Sequence, residues 1–168
     1  MDFKEGFTIN GSKLPKEYQS INDAKKISTM LIETLVHLHE IKPIDVALEN
    51  YGRPEGFLYR QLIGWHKRGT IAHGNEESIN MEKLFKILST QKIPEEKEFV
   101  ILHNDFKLDN IILKKSLDSQ KIFPQAIIDW DQATRGHPLF DLATLLSYWT
   151  LTKDSADMLL LNQMPSET

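Results

Sequence analysis

Three short apolar runs in the second half of the chain each end on a dense polar cluster. Phe99-Val100-Ile101-Leu102 leads into His103-Asn104-Asp105-Phe106-Lys107-Leu108-Asp109-Asn110, and Ile111-Ile112-Leu113 follows at once. Ala126-Ile127-Ile128 then ends on Asp129-Trp130-Asp131. The pattern predicts strand, tight polar loop, strand, then a polar hairpin connection over Lys114–Gln120 and a third strand. Carboxylates and an amide at the ends of buried strands are costly to desolvate unless they hold a metal, a proton or a partner. Function is therefore expected between Val100 and Asp129.

The rest of the chain reads mostly as helix. Residues 1–20 carry Gly6, Gly11 and Pro15 and read as a strand end followed by a loop. Ser20 or Asn22 can cap a helix, and Ile27, Met30, Leu31, Thr34, Leu35 and Leu38 recur at helical steps, predicting a helix from about Asn22 to Glu40. His37 and His39 near its end lie two residues apart, off a common face, so they are expected at the surface or as satisfied core residues rather than as a metal pair.

A second helix is expected from Pro54-Glu55, ended by Gly69, with Ile71–Asn75 as loop. On it Arg60, Gln61 and Trp65 either line a substrate cleft or are one packed Trp with exposed polar neighbours; spacing alone leaves both open. His73-Gly74-Asn75 has no spacing that suggests a metal site. A third helix covers Glu76–Thr90, with Met81, Leu84, Phe85, Ile87 and Leu88 as its apolar face, and Pro94–Glu98 is a solvated linker. A fourth follows Pro138; Leu139, Leu142, Ala143, Leu145, Leu146, Tyr148 and Trp149 make it apolar almost all round, so it is expected to be buried. The tail after Asp154 reads as short.

Bulk properties close off several classes. The net charge of -4 gives no positive field for nucleic acid or an anionic membrane, and neither partner is expected. No uncharged apolar stretch approaches the roughly 18 residues of a membrane span, and the N-terminus lacks the apolar core of a signal peptide. The absence of cysteine removes disulfides and thiolate metal sites and suits a reducing compartment, so a cytoplasmic location is expected.

The order His-x-Asp-x-Lys-x-x-Asn, followed after a hairpin by Ile-Asp, has a mechanistic meaning. Phosphoryl transfer needs positioning and charge neutralisation more than covalent help. Asp105 can face the acceptor hydroxyl and take its proton. Asn110 and Asp129 can hold magnesium through hard oxygens against the phosphates. Asp131 is either a second metal contact or a capping residue. Lys107, two residues past Asp105, can offset charge on the transferred phosphate. The lesser alternative is a surface charge paired with Asp109 or Asp131. His103 would brace the loop by hydrogen bonds.

The segment resembles the catalytic loop of protein-kinase-like folds. Ile127-Ile128-Asp129-Trp130-Asp131 and Gly136-His137-Pro138-Leu139-Phe140-Asp141-Leu142-Ala143 resemble the aminoglycoside phosphotransferase and choline kinase branch. The resemblance puts Asp129 at the metal-binding aspartate, and Asp141 at a buried aspartate that ties down the catalytic loop. Gly52-Arg53-Pro54-Glu55-Gly56-Phe57 with Arg60, Gln61 and Trp65 is similar to one subgroup, the phosphotransferase domain that occurs fused to acyl-CoA dehydrogenases in animals. The resemblance implies ATP, magnesium and a small hydroxylated acceptor such as a hydroxy acid or hydroxyacyl-CoA.

The implied fold is α+β: the mostly helical C-terminal lobe of a kinase-like fold, with a small β-hairpin carrying the catalytic loop. Residues 1–168 are expected to be one partial phosphotransferase domain: a hinge-like segment at 1–20, a helical part at 21–98 and the catalytic and metal-binding motifs at 99–150. The family's N-terminal lobe, with its glycine-rich loop and lysine, has no counterpart here, and the family continues into further helices past Thr168. Little or no kinase activity is therefore expected of residues 1–168 alone. His137 replaces the Asp that the family usually carries between Gly and Pro. Other functions remain open: a non-catalytic pseudokinase-like binding module, a metal-dependent phosphohydrolase built on His103, Asp105, Asp129 and His137, and a polar loop with incidental carboxylates.

Overall fold

The computed structural model describes residues 3–72, 75–94, 98–116, 121–151, 153–160 and 162–165. The charged run at 95–97, the hairpin connection at 117–120, and His73 and Gly74 lie outside the described residues. Among the described residues five α-helices and four strands follow in order: α1 (Ile21–Glu40), α2 (Phe57–Ala72), α3 (Asn75–Ser89), β1 (Val100–Leu102), β2 (Ile111–Lys115), β3 (Ile122–Ile127), β4 (Thr134–Gly136), α4 (Leu139–Ser147) and α5 (Ala156–Leu160).

Helix α1 is the platform. The Ser20 Oγ accepts from the Asp23 N–H at 3.1 Å, satisfying one of the orphan donors of its first turn. The six residues singled out by their spacing are the ones it buries. Leu31 and Leu35 pack with Ile101, Phe106, Leu108, Ile111, Leu113 and Leu145 into one core directly beneath the polar loop. Thr34 belongs to the buried face because its hydroxyl donates to the Met30 carbonyl at 2.6 Å.

The strands form two antiparallel ribbons rather than three consecutive strands. β2 pairs with β3, Ile111 opposite Ile127, with an irregularity between Ile112 and Leu113. β1 pairs with β4, Leu102 opposite Thr134. Thr134-Arg135-Gly136 is too short and too polar to announce a strand. The expected N-terminal strand end is a bridge from Phe7 to Leu113, closed by N–H to O contacts of 2.9 and 2.7 Å.

Three expectations change. Helix α2 runs through Gly69 to Ala72, and α3 starts at Asn75, so the predicted loop is shorter. Gly69 does not end the helix: a Cβ there would meet the side chain of Met81, so the glycine admits α3 against α2. Helix α4 is not buried all round. Asp141 and Leu145 face inward, whereas Leu139 and Leu146 are 52% and 55% exposed. One stripe suffices to hold it, because Asp141 anchors that stripe by hydrogen bonds. Finally, the tail is not spent at Asp154. It forms α5 and returns to bury Met164 in the core.

Gly136 joins these parts. A Cβ there would lie 2.7 Å from Phe57 and 2.8 Å from Leu102. Phe57 at the start of α2 meets Phe140 edge-on at 5.0 Å. The Arg135 Nε donates to the Tyr51 carbonyl at 2.6 Å, so the loop before α2 is fixed to β4.

Candidate active site

The loop between β1 and β2 turns on Asn104, whose φ of 65° is in the left-handed region. Asn adopts it more readily than most residues, and its Nδ2 donates to the Gln132 carbonyl at 2.7 Å. The turn presents two successive N–H groups to the fully buried Asp141. His103 N–H donates to Oδ2 at 2.9 Å, and Asn104 N–H to Oδ1 at 2.7 Å. The Nε2 of His39, at the end of α1, is 3.0 Å from the same Oδ2. Asp141 thus holds two loop N–H groups, and His39 is a third partner that its spacing did not suggest. A buried carboxylate needs such compensation, since an unpaired one would be strongly penalised.

His103 braces the loop. Its Nε2 donates to the Ile128 carbonyl at 2.8 Å, and its Nδ1 accepts from the Asp105 N–H at 3.3 Å. A carbonyl can only accept and an N–H can only donate, so the two contacts select the Nε2–H tautomer. The Trp130 ring lies 4.8 Å from the imidazole, and its Nε1–H is held by the Ile127 carbonyl at 2.9 Å.

Asp105 is the hub. The Asn110 Nδ2 donates to its backbone carbonyl at 2.8 Å and to its Oδ2 at 3.1 Å. The Lys107 Nζ is 3.2 Å from the same Oδ2 and 3.8 Å from Asp109. The Tyr148 hydroxyl donates to Oδ1 at 2.6 Å. Burial, then the hydrogen bond to Asp105 and the charges of Asp105 and Asp109, push the Tyr148 phenol well above its usual range, so it stays a donor. Burial also raises the Asp109 carboxyl, opposed by Lys107 and assisted by the Asp105 charge.

Because both neighbours of the Asn110 Nδ2 are acceptors, the amide orientation is fixed, and its oxygen is the atom turned away from Asp105. The Ile128 N–H donates to the Asn110 carbonyl at 2.9 Å, which sets Asp129 beside the start of β2. Asp129 has φ 64° and is exposed, as is Asp131. An amide oxygen with one or two carboxylates is a hard-oxygen donor set that fits a magnesium-like cation completed by other ligands. Among the described residues no three His, Asp or Glu side chains gather into a metal cage. Of the two imidazoles in the hydrolase reading, His103 has both nitrogens on backbone groups, and the His137 Nδ1 accepts from the Leu139 N–H at 3.2 Å. That contact satisfies an N–H in the first turn of α4.

Arg60, Gln61 and Trp65 do not enter this network. The Arg60 guanidinium is held by the Arg53 and Glu55 carbonyls. Gln61 is half-buried, and Trp65 is exposed, with the Arg68 guanidinium 4.4 Å over its ring. A cavity of about 720 Å³ opens elsewhere, between α1 and the β2–β3 hairpin, lined by Tyr18, Ile27, Met30, Lys115 and Phe123; none of the loop residues borders it. Sequence reasoning missed Tyr148, seen only as part of an apolar helix, and Gln163, whose Oε1 accepts from the Lys107 Nζ at 3.0 Å. Neither lies in a recognisable motif.

The profile of the phosphotransferase enzyme family matches residues 9–163. Acyl-CoA dehydrogenase family member 11 of Gallus gallus is 32% identical over 152 residues, 89% of this chain and 18% of that protein. The Homo sapiens protein of the same name is 33% identical over 123 residues, 72% of this chain and 15% of that protein. A crystal structure titled a putative aminoglycoside phosphotransferase from Ralstonia eutropha superposes with a TM-score of 0.73 at 25% identity, covering 88% of this chain and 43% of its own. The chain thus spans less than a fifth of the length of these two relatives and less than half of the structural neighbour.

Proposed function

This chain belongs to the phosphotransferase enzyme family, and on that premise we propose that it carries the catalytic loop of an ATP-dependent kinase acting on a hydroxyl of a small molecule. The observation that carries the proposal is the arrangement around Asp105. A carboxylate, a lysine ammonium and an amide meet within 3.2 Å at the end of a rigid strand, on a loop whose backbone is gripped by buried Asp141.

In this scheme Asp105 accepts the proton of the acceptor hydroxyl as it attacks. Lys107 offsets negative charge gathering on the transferred group. Asn110 and Asp129 would hold magnesium, with Asp131 as a further contact. The metal supplies neutralisation of phosphate charge and alignment of the nucleotide. His103 and Asp141 never touch substrate; they fix where Asp105 stands.

The acceptor class favoured is a hydroxy acid or hydroxyacyl-CoA, supported by relatives named as acyl-CoA dehydrogenase family members. Arg60, Gln61 and Trp65 are its proposed contacts. The test is phosphorylation by the intact protein, with ATP and magnesium, of a panel of hydroxy acids, their CoA thioesters and aminoglycosides, read by 31P NMR of the product. A phosphate ester on a hydroxy acid or its thioester supports the assignment. Transfer to aminoglycosides alone would overturn the acceptor class, and transfer to nothing, with no ATP bound, would favour a non-catalytic module.

A further inference from the structure

Helix α4 touches the catalytic loop at both ends. Near its start Asp141 holds the N–H groups of His103 and Asn104. Seven residues on, about 10 Å along the helix axis, Tyr148 caps its end and places its hydroxyl 2.6 Å from the Asp105 Oδ1. The Tyr148 ring also lies 5.0 Å from the Lys107 Nζ, a cation–π distance. One side chain from outside the motif therefore contacts both groups assigned to the chemistry.

The chain then returns to the same place. The Gln163 N–H donates to the Tyr148 carbonyl at 3.2 Å, and the Gln163 side chain accepts from Lys107 at 3.0 Å. Beside it, the sulfur of fully buried Met164 accepts from the Leu108 N–H at 3.5 Å. Lys107 is only 12% exposed, so the long side chain is held rather than left to sample solvent. A hydrogen bond to an ionised carboxylate is shorter and stronger than a neutral one, and the Tyr148 contact has that length.

We propose that Tyr148 and Gln163 are positioning residues: Tyr148 fixes the carboxylate of Asp105 toward the acceptor hydroxyl, and Gln163 fixes the ammonium of Lys107 toward the transferred phosphate. The proposal rests on the phosphotransfer function above. Reaction geometry tolerates little displacement, and an error of about 1 Å costs on the order of a hundredfold in rate. Losing either contact therefore slows the chemical step without weakening nucleotide binding.

The test compares wild-type intact protein with Tyr148→Phe, Gln163→Leu, Gln163→Glu and Asp105→Asn, with ATP, magnesium and the best acceptor of the panel. Tyr148→Phe keeps the ring and its packing. It is expected to lower kcat about tenfold to a hundredfold, with KM for ATP and Tm nearly unchanged. Gln163→Leu lowers kcat, and Gln163→Glu, which restores an acceptor for Lys107, recovers it. Wild-type kcat in Tyr148→Phe and Gln163→Leu beside an inactive Asp105→Asn overturns the proposal, as does a loss confined to KM. An active Asp105→Asn strikes instead at the phosphotransfer assignment.

Discussion

The Nε2 of His39 lies 3.0 Å from the Oδ2 of Asp141, and this contact joins the end of α1 to the start of α4. The same carboxylate receives two loop N–H groups and is wholly buried. Removing it strands two donors and one imidazole together. Asp141→Ala is expected to cost about 3–5 kcal/mol, and His39→Ala about 1–2 kcal/mol. The double variant should fall short of the sum, because the partners share one group. Urea denaturation of the four proteins measures all three quantities.

Leu31, about two turns earlier on the same helix, is completely buried in the core. Leu31→Ala is expected to cost about 2–5 kcal/mol through lost burial and a residual cavity. Thermal unfolding reads this as a fall in Tm, with no change in any polar contact.

Gly136→Ala is expected to destabilise by about 1–3 kcal/mol, since the added methyl would press on Phe57 and Leu102, both of which are buried. The affected packing holds the loop before α2 to β4. Limited proteolysis near Tyr51–Gly56 should therefore accelerate along with the loss of stability.

Asp109 gives a pH signature. Its carboxyl is raised, chiefly by burial, so the folded protein binds that proton more tightly than the unfolded chain does. The stability this supplies is full below the ordinary aspartate value of about 4 and is lost as pH rises through the raised one. Asp109→Asn avoids the charged form. It is expected to be more stable than wild type at about pH 7, the advantage vanishing toward about pH 3. Denaturation midpoints of both proteins across that range check the sign.

The central motif was legible in the sequence because polar side chains at strand ends have few bland explanations, and α1 was legible because Ile27, Leu31, Leu35 and Leu38 keep one helical stripe. Long-range returns were not. Tyr148 sits in an apolar run where its hydroxyl is invisible to periodicity, and its partner Asp105 is 43 residues away. Gln163 is an ordinary polar residue in an ordinary tail. Gly69 carries the local mark of a helix end, yet tertiary packing on Met81 gives it another use. Thr134-Arg135-Gly136 becomes a strand only because β1 lies beside it.

The most direct test of the account is Asp105→Asn in the intact protein. Phosphate transfer from ATP should fall by several orders of magnitude, while ATP affinity in the presence of magnesium, measured by calorimetry, stays within about threefold, because a base acts in the transition state and not in nucleotide binding. A large loss of ATP affinity with the rate of transfer preserved would contradict it.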